Sequence, residues 1–284
     1  MARKICLDAG HYGKYNRSPV VPTYYESDMN WKLHLLLKKE LESYGFEVIT
    51  TRANKDKDLA LESRGKAAKG CDLFLSLHSN AASSESVNYV VCMHMVDDNC
   101  GAIDEQSKNI ANLLATTVGD IMDAPAKTWS TQSSADRDGN GYKDDYYGVL
   151  RGAHSVAVAG VILEHGFHTN KAQATWLLDD SNLQRLAEAE AKVLAKYFGM
   201  TKNPEVKKGD YTMEMRLLKK GCKGEDVRAL QILLIGRGYN CGRYGADGDF
   251  GADTDKAVRK YQTDKKLEVD GIVGSATMGS LMGV

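Results

Sequence analysis

Asp72-Leu73-Phe74-Leu75-Ser76-Leu77-His78-Ser79-Asn80 is a short apolar run that ends in polar groups able to bind a metal. It reads as a buried strand with its chemistry at the carboxyl end, because ligands of open α/β sheets bind in the crevice outside the carboxyl ends of parallel strands. Two other stretches repeat the design. The run from Lys4 to Leu7 leads into Asp8-Ala9-Gly10-His11, and the run from Val156 to Leu163 leads into Glu164-His165-Gly166. Three strand ends thus bring two histidines and a carboxylate toward one crevice.

Around these strands the periodicity alternates. Tyr12 to Tyr25 is a polar loop, Ser27 or Asp28 caps a helix with Leu33, Leu36, Leu37 and Leu41 on one face, and Gly45 closes it. Phe46 to Thr51 reads as a strand, Leu59 to Lys69 as a helix ended by Gly70, and Val87 to Val96 as another strand. Ile110, Leu114, Val118 and Ile121 keep helical spacing, as do residues of Asn182 to Phe198 before Gly199. The fold predicted is α/β, a mostly parallel twisted sheet with helices on both faces, and Pro125 to Tyr147 is a long loop of the kind that rims active sites. The catalytic domain is expected over 1–199 and a lysine-rich linker over 200–214. Residues 215–284 are expected to form a small three-helix domain, with Asp-Gly-x-x-Gly turns at Asp247 to Gly251 and Asp270 to Gly274.

Composition excludes several classes. The chain has 284 residues, 43% hydrophobic and 26% charged, and a formal net charge of -1. A nucleic-acid partner is not expected, since binding to phosphates needs an excess of Lys and Arg. Nor is a membrane span, because no apolar run approaches the roughly 20 residues that cross a bilayer. The amino terminus is too short in apolar residues for a secretory signal, so synthesis in the cytoplasm without a signal peptide is predicted. The six cysteines show no Cys-x-x-Cys spacing and read as thiols, with Cys222 and Cys241 the one pair to check.

Zinc in catalytic sites takes three nitrogen or oxygen ligands from protein and leaves a fourth position for water. His11, Glu26 and His78 fit that count; His165 and His168 remain competing ligands. Glu164 is then placed as general base, and the implied reaction is amide hydrolysis. By spacing alone this is a weak signal, since a lone histidine at a strand end is more often a satisfied polar group than a ligand, and no His-Glu-x-x-His helix is present.

Residues 4–198 resemble the zinc-dependent N-acetylmuramoyl-L-alanine amidases of the family-3 type, which cleave between the lactyl group of muramic acid and the first alanine of the stem peptide. The resemblance lies in Leu7 to His11, the helix start from Glu26 to Asn30, Thr51-Arg52, Leu61 with Arg64, Ser76 to Ala81, Val149 to Arg151, and Leu163 to Phe167 with Asn170. It implies Zn²⁺ held by His11, Glu26 and His78, with Glu164 catalytic. It also implies bacterial peptidoglycan as partner, with Asn80, Arg151 and His165 as candidate substrate contacts. Tyr12 stands where glycine usually follows the first histidine, and His165 replaces a residue that is commonly apolar or small. Ser83 to Ala124 is too short for an inhibitory helix, so an open, unregulated site is expected. Residues 215–283 resemble a three-helix peptidoglycan-binding domain, through Gly224 to Val227, Leu230-Gln231, Asp247 to Gly251, Ala257-Val258, Tyr261-Gln262 and Asp270 to Gly274. Tyr239, Tyr244, Phe250 and Tyr261 there are either ordinary core or surface aromatics or glycan-stacking rings.

Asp136, Asp138, Asn140 and Asp144 have the alternation of a calcium loop, but Tyr147 occupies the place of the closing glutamate and no paired helices flank it. A polar rim loop is the preferred reading. Two further readings compete with the amidase: a non-catalytic wall-binding protein on the same scaffold, and a zinc endopeptidase of the stem. A wall hydrolase with a wall-binding tail and no signal suggests a phage endolysin released through a membrane hole or a mother-cell lytic enzyme.

Overall fold

A computed structural model of the chain describes residues 3–96, 101–137, 139–202 and 217–282. The chain divides into two compact units, Met1–Glu205 and Val206–Val284. Most of the expected linker, from residue 203 onward, lies outside the described residues.

In chain order the first unit contains β1 (Lys4–Ala9), α1 (Glu26–Ser43), β2 (Glu47–Thr50), α2 (Leu61–Lys66), β3 (Leu73–Asn80), β4 (Val90–His94), α3 (Ala102–Met122), β5 (Ala126–Trp129), α4 (Gly148–His154), β6 (Gly160–Phe167), α5 (Lys171–Leu177) and α6 (Asp180–Phe198). The strands form one sheet in the order β2-β1-β3-β6-β4-β5. All pairings are parallel except that of β4 with β6. A return to a parallel strand needs a crossover of about a dozen residues or more, usually a helix. The connection 81–89 carries no helix, so β4 runs back against its neighbour.

Alternation along the strands sorts the side chains. Ile5 and Leu7 of β1, Leu73, Leu75 and Leu77 of β3, and Val161 and Leu163 of β6 face the layer of α1, α3 and α6. Cys6, Phe74 and Ile162 face the opposite layer, built by α2 and α4. The leucines are 0% exposed, and burying each contributes roughly 1.5–3 kcal/mol. The spacing of Leu33, Leu37 and Leu41 places all three in the first core, while Leu36 is only partly buried against it. Helices α2 and α4 approach closely because each brings a glycine to the crossing. A methyl on Gly65 would collide with the backbone at Val149 and Ala153, and one on Gly152 with the backbone of Glu62.

Three sequence expectations shift. The last core strand occupies Gly160–Phe167 rather than 156–163, because Ala157 turns the chain in the left-handed region and pairing with β3 begins at Phe74↔Gly160. Both β3 and β6 continue through their polar ends, so His78 and Glu164 lie within paired strands, opposite each other in the register. Within the expected loop 125–147, Ala126–Trp129 adds to β4 as an edge strand; with one partner and largely exposed residues it lacks the apolar alternation of a buried strand.

The second unit holds α7 (Glu225–Gly236), α8 (Ala252–Asp264) and α9 (Ser275–Met282) around Leu218, Val227, Leu230, Phe250, Val258 and Tyr261. Phe250 and Tyr261 are therefore core rings, whereas Tyr244 is 68% exposed. Cys222 and Cys241 are both free thiols.

Each Asp-Gly turn is held by a glutamine that is 1% exposed. Gln231 Nε2 reaches Asp247 Oδ1 at 2.9 Å, the Asp249 carbonyl at 3.0 Å and Thr254 Oγ1 at 3.0 Å, while its Oε1 accepts from Gly248 N–H at 2.8 Å. Gln262 repeats the pattern on Asp270 Oδ1, the Ile272 carbonyl and Thr277 Oγ1, and accepts from Gly271 N–H at 2.9 Å.

Candidate metal centre

Strand parity decides which side chains reach the crevice. Ser76 and His78 share the face of Phe74, and Glu164 shares the face of Ile162, so His78 and Glu164 emerge side by side at the carboxyl end of the sheet. His11 follows β1 with φ 58, a left-handed turn that brings its ring back over the strand ends. Gly10 makes this possible. Its N–H donates to the Leu77 carbonyl at 3.0 Å, and any side chain there would collide with the His78 imidazole.

Glu26 is the first residue of α1, and Tyr25 occupies the N-cap without a side-chain cap bond. The expected cap residue does other work: Ser27 Oγ accepts from Tyr15 N–H at 2.9 Å and donates to the Gly13 carbonyl at 2.9 Å, which pins the 12–25 loop to the helix start. The Glu26 carboxylate therefore projects into the crevice. His78 Nδ1 lies 2.8 Å from its Oε1 and His11 Nε2 lies 3.3 Å from its Oε2. Ser79 N–H donates to Oε1 at 3.1 Å and Asn16 Nδ2 to Oε2 at 2.6 Å. Burial alone would raise this carboxyl's pKa, but the hydrogen bonds and charges of His11 and His78 outweigh it and hold the group well below the usual carboxylate range.

One ligand atom from each of His11, Glu26 and His78 lies within 4.8 Å of the others, which makes this a possible His/Glu/His metal site. Two imidazoles and one carboxylate are a donor set suited to a divalent transition metal, with room for water or substrate as a further ligand. Glu164 is in the opposite electrostatic state from Glu26. Burial, and then the negative charge of Glu26, push its carboxyl well above the usual range, and its Oε2 is buried with no hydrogen-bond partner among the described residues. An orphaned carboxylate oxygen beside a metal-capable cluster is suited to exchanging a proton with something bound in the cavity.

The cavity has a volume of about 1100 Å³. Its lining runs from His11 and Tyr15 past His78 and Glu164 to Met93 of β4, and on to the 132–137 segment and Tyr146-Tyr147. The 125–147 stretch is thus a rim of the crevice.

The other candidate residues separate. Arg151 lines the cavity, with its guanidinium tied to Glu62 Oε1 at 3.2 Å and to the carbonyls of Asp145 and Tyr146, both at 2.8 Å. Asn80 is outside the cavity lining and its Oδ1 accepts from Ala81 N–H at 2.8 Å. His165 is not a substrate contact. Next to Glu164 in a strand, it must point to the opposite face, where its ring is 0% exposed between the His78 carbonyl and Glu190 Oε1, each at 3.0 Å. His168 is likewise not a ligand of this cluster: its Nδ1 lies 3.0 Å from Ser79 Oγ, which also accepts from Tyr24 O–H at 2.7 Å.

In the proposed calcium loop, the Asp136 oxygens accept from Gly139 and Gly141 N–H at 2.7 and 2.9 Å, and Asp144 Oδ2 pairs with Arg137 at 3.2 Å. Asn140 Oδ1 accepts from Tyr142 N–H at 2.8 Å, and Asp138 lies outside the described residues. Among the described residues, His11, Glu26 and His78 are the group close enough to hold a metal.

Sequence reasoning missed Asn16 and the Ser79 amide. The first sits in a loop without periodicity, and the second is a main-chain donor that no side-chain pattern reveals. Gly10 stood within a quoted motif, but its contact with His78 needs the β1–β3 pairing to be seen.

A family model described as N-acetylmuramoyl-L-alanine amidase matches residues 5–196, and one for a peptidoglycan binding domain matches residues 223–281. The chain is 34% identical over 125 residues to N-acetylmuramoyl-L-alanine amidase CwlL of Bacillus licheniformis, a match covering 43% of this chain and 34% of that protein. It is 28% identical over 198 residues to "Probable cell wall amidase LytH" of Staphylococcus aureus, covering 69% of this chain and 58% of the relative. The chain thus spans about a third of the first relative's length and under two thirds of the second's. The fold matches the catalytic domain of CwlV, an N-acetylmuramoyl-L-alanine amidase from Bacillus (Paenibacillus) polymyxa var. colistinus, with a TM-score of 0.56 and 21% identity, over 70% of this chain and 99% of that one.

Proposed function

The chain belongs to the N-acetylmuramoyl-L-alanine amidase family, and from that premise we propose that it hydrolyses the amide between N-acetylmuramic acid and L-alanine in bacterial peptidoglycan. The single observation that carries this reading is the cluster of His11, Glu26 and His78 beside the orphaned Glu164 oxygen. Zn²⁺ is the metal best suited to the two imidazoles and the carboxylate, and when bound there it supplies a Lewis acid and makes a water acidic enough to attack at neutral pH.

The chain's own residues do the rest. Asn16 and the Ser79 amide hold the Glu26 carboxylate in one orientation, and Gly10 lets the His78 ring lie against β1. Glu164, whose buried Oε2 has no hydrogen-bond partner among the described residues, takes a proton from the attacking water. As the carbon–nitrogen bond breaks, Glu164 returns the proton to the alanine nitrogen, so the products are a muramic carboxylate and a free stem amine. The second unit, matched by the peptidoglycan binding domain, holds the enzyme on the wall.

Purified sacculi treated with the zinc-loaded protein should release stem peptides whose new amino terminus is alanine, read by mass spectrometry. A different new terminus would make the enzyme an endopeptidase, and no release from any wall, with zinc bound, would leave only the binding-protein reading.

A further inference from the structure

Two exposed aromatic rings stand in one column with His11 of the metal cluster, and a third exposed ring, Tyr146, also lines the cavity. Tyr12 and Tyr15 are 38% and 49% exposed and both line the cavity. Tyr15 stacks on His11, with centroids 4.9 Å apart and planes 16° apart, and Tyr12 stacks on Tyr15 at 6.1 Å and 23°. The column runs His11, Tyr15, Tyr12, and its base is fixed by the bond from Tyr15 N–H to Ser27 Oγ. Its rings leave apolar surface facing a wet cleft, an arrangement that gains by covering that surface with a partly apolar ligand.

The sheet order says which part of a substrate lies there. His11 follows β1, His78 is in β3, Glu164 in β6 and Met93 in β4, and these strands are adjacent in that order. Adjacent strands are about 4.8 Å apart, so the lining is a row of steps across the sheet. Glu164 must reach the leaving nitrogen to protonate it, so the peptide departs toward β6 and β4. The acyl half of the scissile bond, with its sugar, is left on the β1 side, over the tyrosines.

We propose that Tyr12, backed by Tyr15, forms a saccharide platform that seats the pyranose ring of the muramic acid, its C–H face against the outer face of Tyr12 and its hydroxyls in water. The assignment rests on the amidase reading above and adds a direction to the cleft.

The test compares a disaccharide-pentapeptide with a lactyl-alanyl peptide that has the same scissile amide and no sugar ring. For the zinc-loaded protein, Tyr12→Ala should lower the ratio of kcat/KM for the sugar-bearing over the sugar-free substrate by about tenfold, chiefly through KM, the scale expected for one aromatic contact with its buried area. Tyr12→Phe, which keeps the ring, should restore the ratio. An unchanged ratio in Tyr12→Ala and Tyr15→Ala would overturn the platform, as would an equal loss on both substrates, which would mean that the column only steadies His11. Binding of the disaccharide-pentapeptide to Glu164→Gln, followed by calorimetry, needs no turnover and should weaken by a similar factor when Tyr12→Ala is added. If the wild-type protein cleaves neither substrate the amidase reading fails, and this binding result decides the platform by itself.

Discussion

The two units treat buried polar groups in opposite ways. In the second unit Gln231 and Gln262 close their networks: each carboxamide spends its donors and its acceptor on one Asp-Gly turn and the following threonine. In the first unit the polar cluster at the strand ends stays open, with the charge of Glu26 opposing the ionisation of Glu164 and an oxygen of Glu164 left unpartnered among the described residues. A satisfied network specifies one conformation, whereas an unsatisfied one stores a capacity to bind or to move a proton.

The sharpest way to break the comparison is Glu164→Gln. If the open oxygen exists for proton transfer, kcat on the muramoyl-alanine bond should fall by about 10³-fold, within the usual range for losing a general base. Zinc content, measured by atomic absorption, should be retained, and thermal stability should not fall, because a buried carboxyl repelled by Glu26 is replaced by a neutral amide. A variant with normal turnover would remove Glu164 from the reaction.

The closed networks predict the reverse pattern. Gln231→Leu leaves the Asp247 carboxylate, the Gly248 N–H and Thr254 without their common partner, and should destabilise the second unit by about 3 kcal/mol. Calorimetry should show one unfolding transition moved down, while hydrolysis of a small soluble muropeptide is unaffected. Gln262→Leu should behave in the same way, since its partners correspond one to one. Loss of turnover with an unmoved transition would reverse the roles assigned to the two kinds of network.

Much of this was legible in the sequence, for identifiable reasons. His78 and Glu164 stand after apolar runs, and period-two alternation then fixes their face. The same rule, applied one residue further, would have removed His165 from the candidates, because Glu164 and His165 cannot both face the crevice. That step was hidden because the strand was expected to end at Leu163, and a polar Glu-His pair looks like a loop until the register with β3 is known. The edge strand β5 was hidden because its residues, Ala126 to Trp129, bury little and so carry no pattern. The two Asp-Gly-x-x-Gly turns were plain, but the glutamines that hold them lie on preceding helices, 16 residues from Asp247 in one case and 8 from Asp270 in the other.

Asn16 tests how far the open cluster depends on its surroundings. It donates to Glu26 Oε2 at 2.6 Å from an exposed loop, a contact that orients a ligand without being one. Removing such a support typically weakens metal binding by about 10- to 100-fold. Asn16→Ala should sit at the lower end, about tenfold in zinc Kd by chelator competition, because the Ser79 N–H still holds the other oxygen. An unchanged Kd would mean that the main chain alone orients Glu26.

The smallest expected effect concerns a buried titratable group on α1 that belongs to neither network. His34 is 2% exposed, and its Nδ1 lies 2.5 Å from the Trp31 carbonyl. Burial is the main cause that lowers its pKa from 6.5 to about 4; the hydrogen bond to Trp31 opposes this, and the positive charge of Arg52 assists it. Below pH 6.5 the unfolded chain takes up a proton that the folded chain refuses until about pH 4, so the stability due to neutral His34 is complete above 6.5 and declines as pH falls through that window. Between pH 6.5 and 5.5 the loss is about 1 kcal/mol for this one group. Chemical denaturation of the metal-free protein at the two pH values should show it, and His34→Gln should remove it while leaving the pH response of the other groups in place. A pH dependence identical in the variant would mean that His34 is protonated inside the fold, and that α1 tolerates an open charge as readily as the strand ends do.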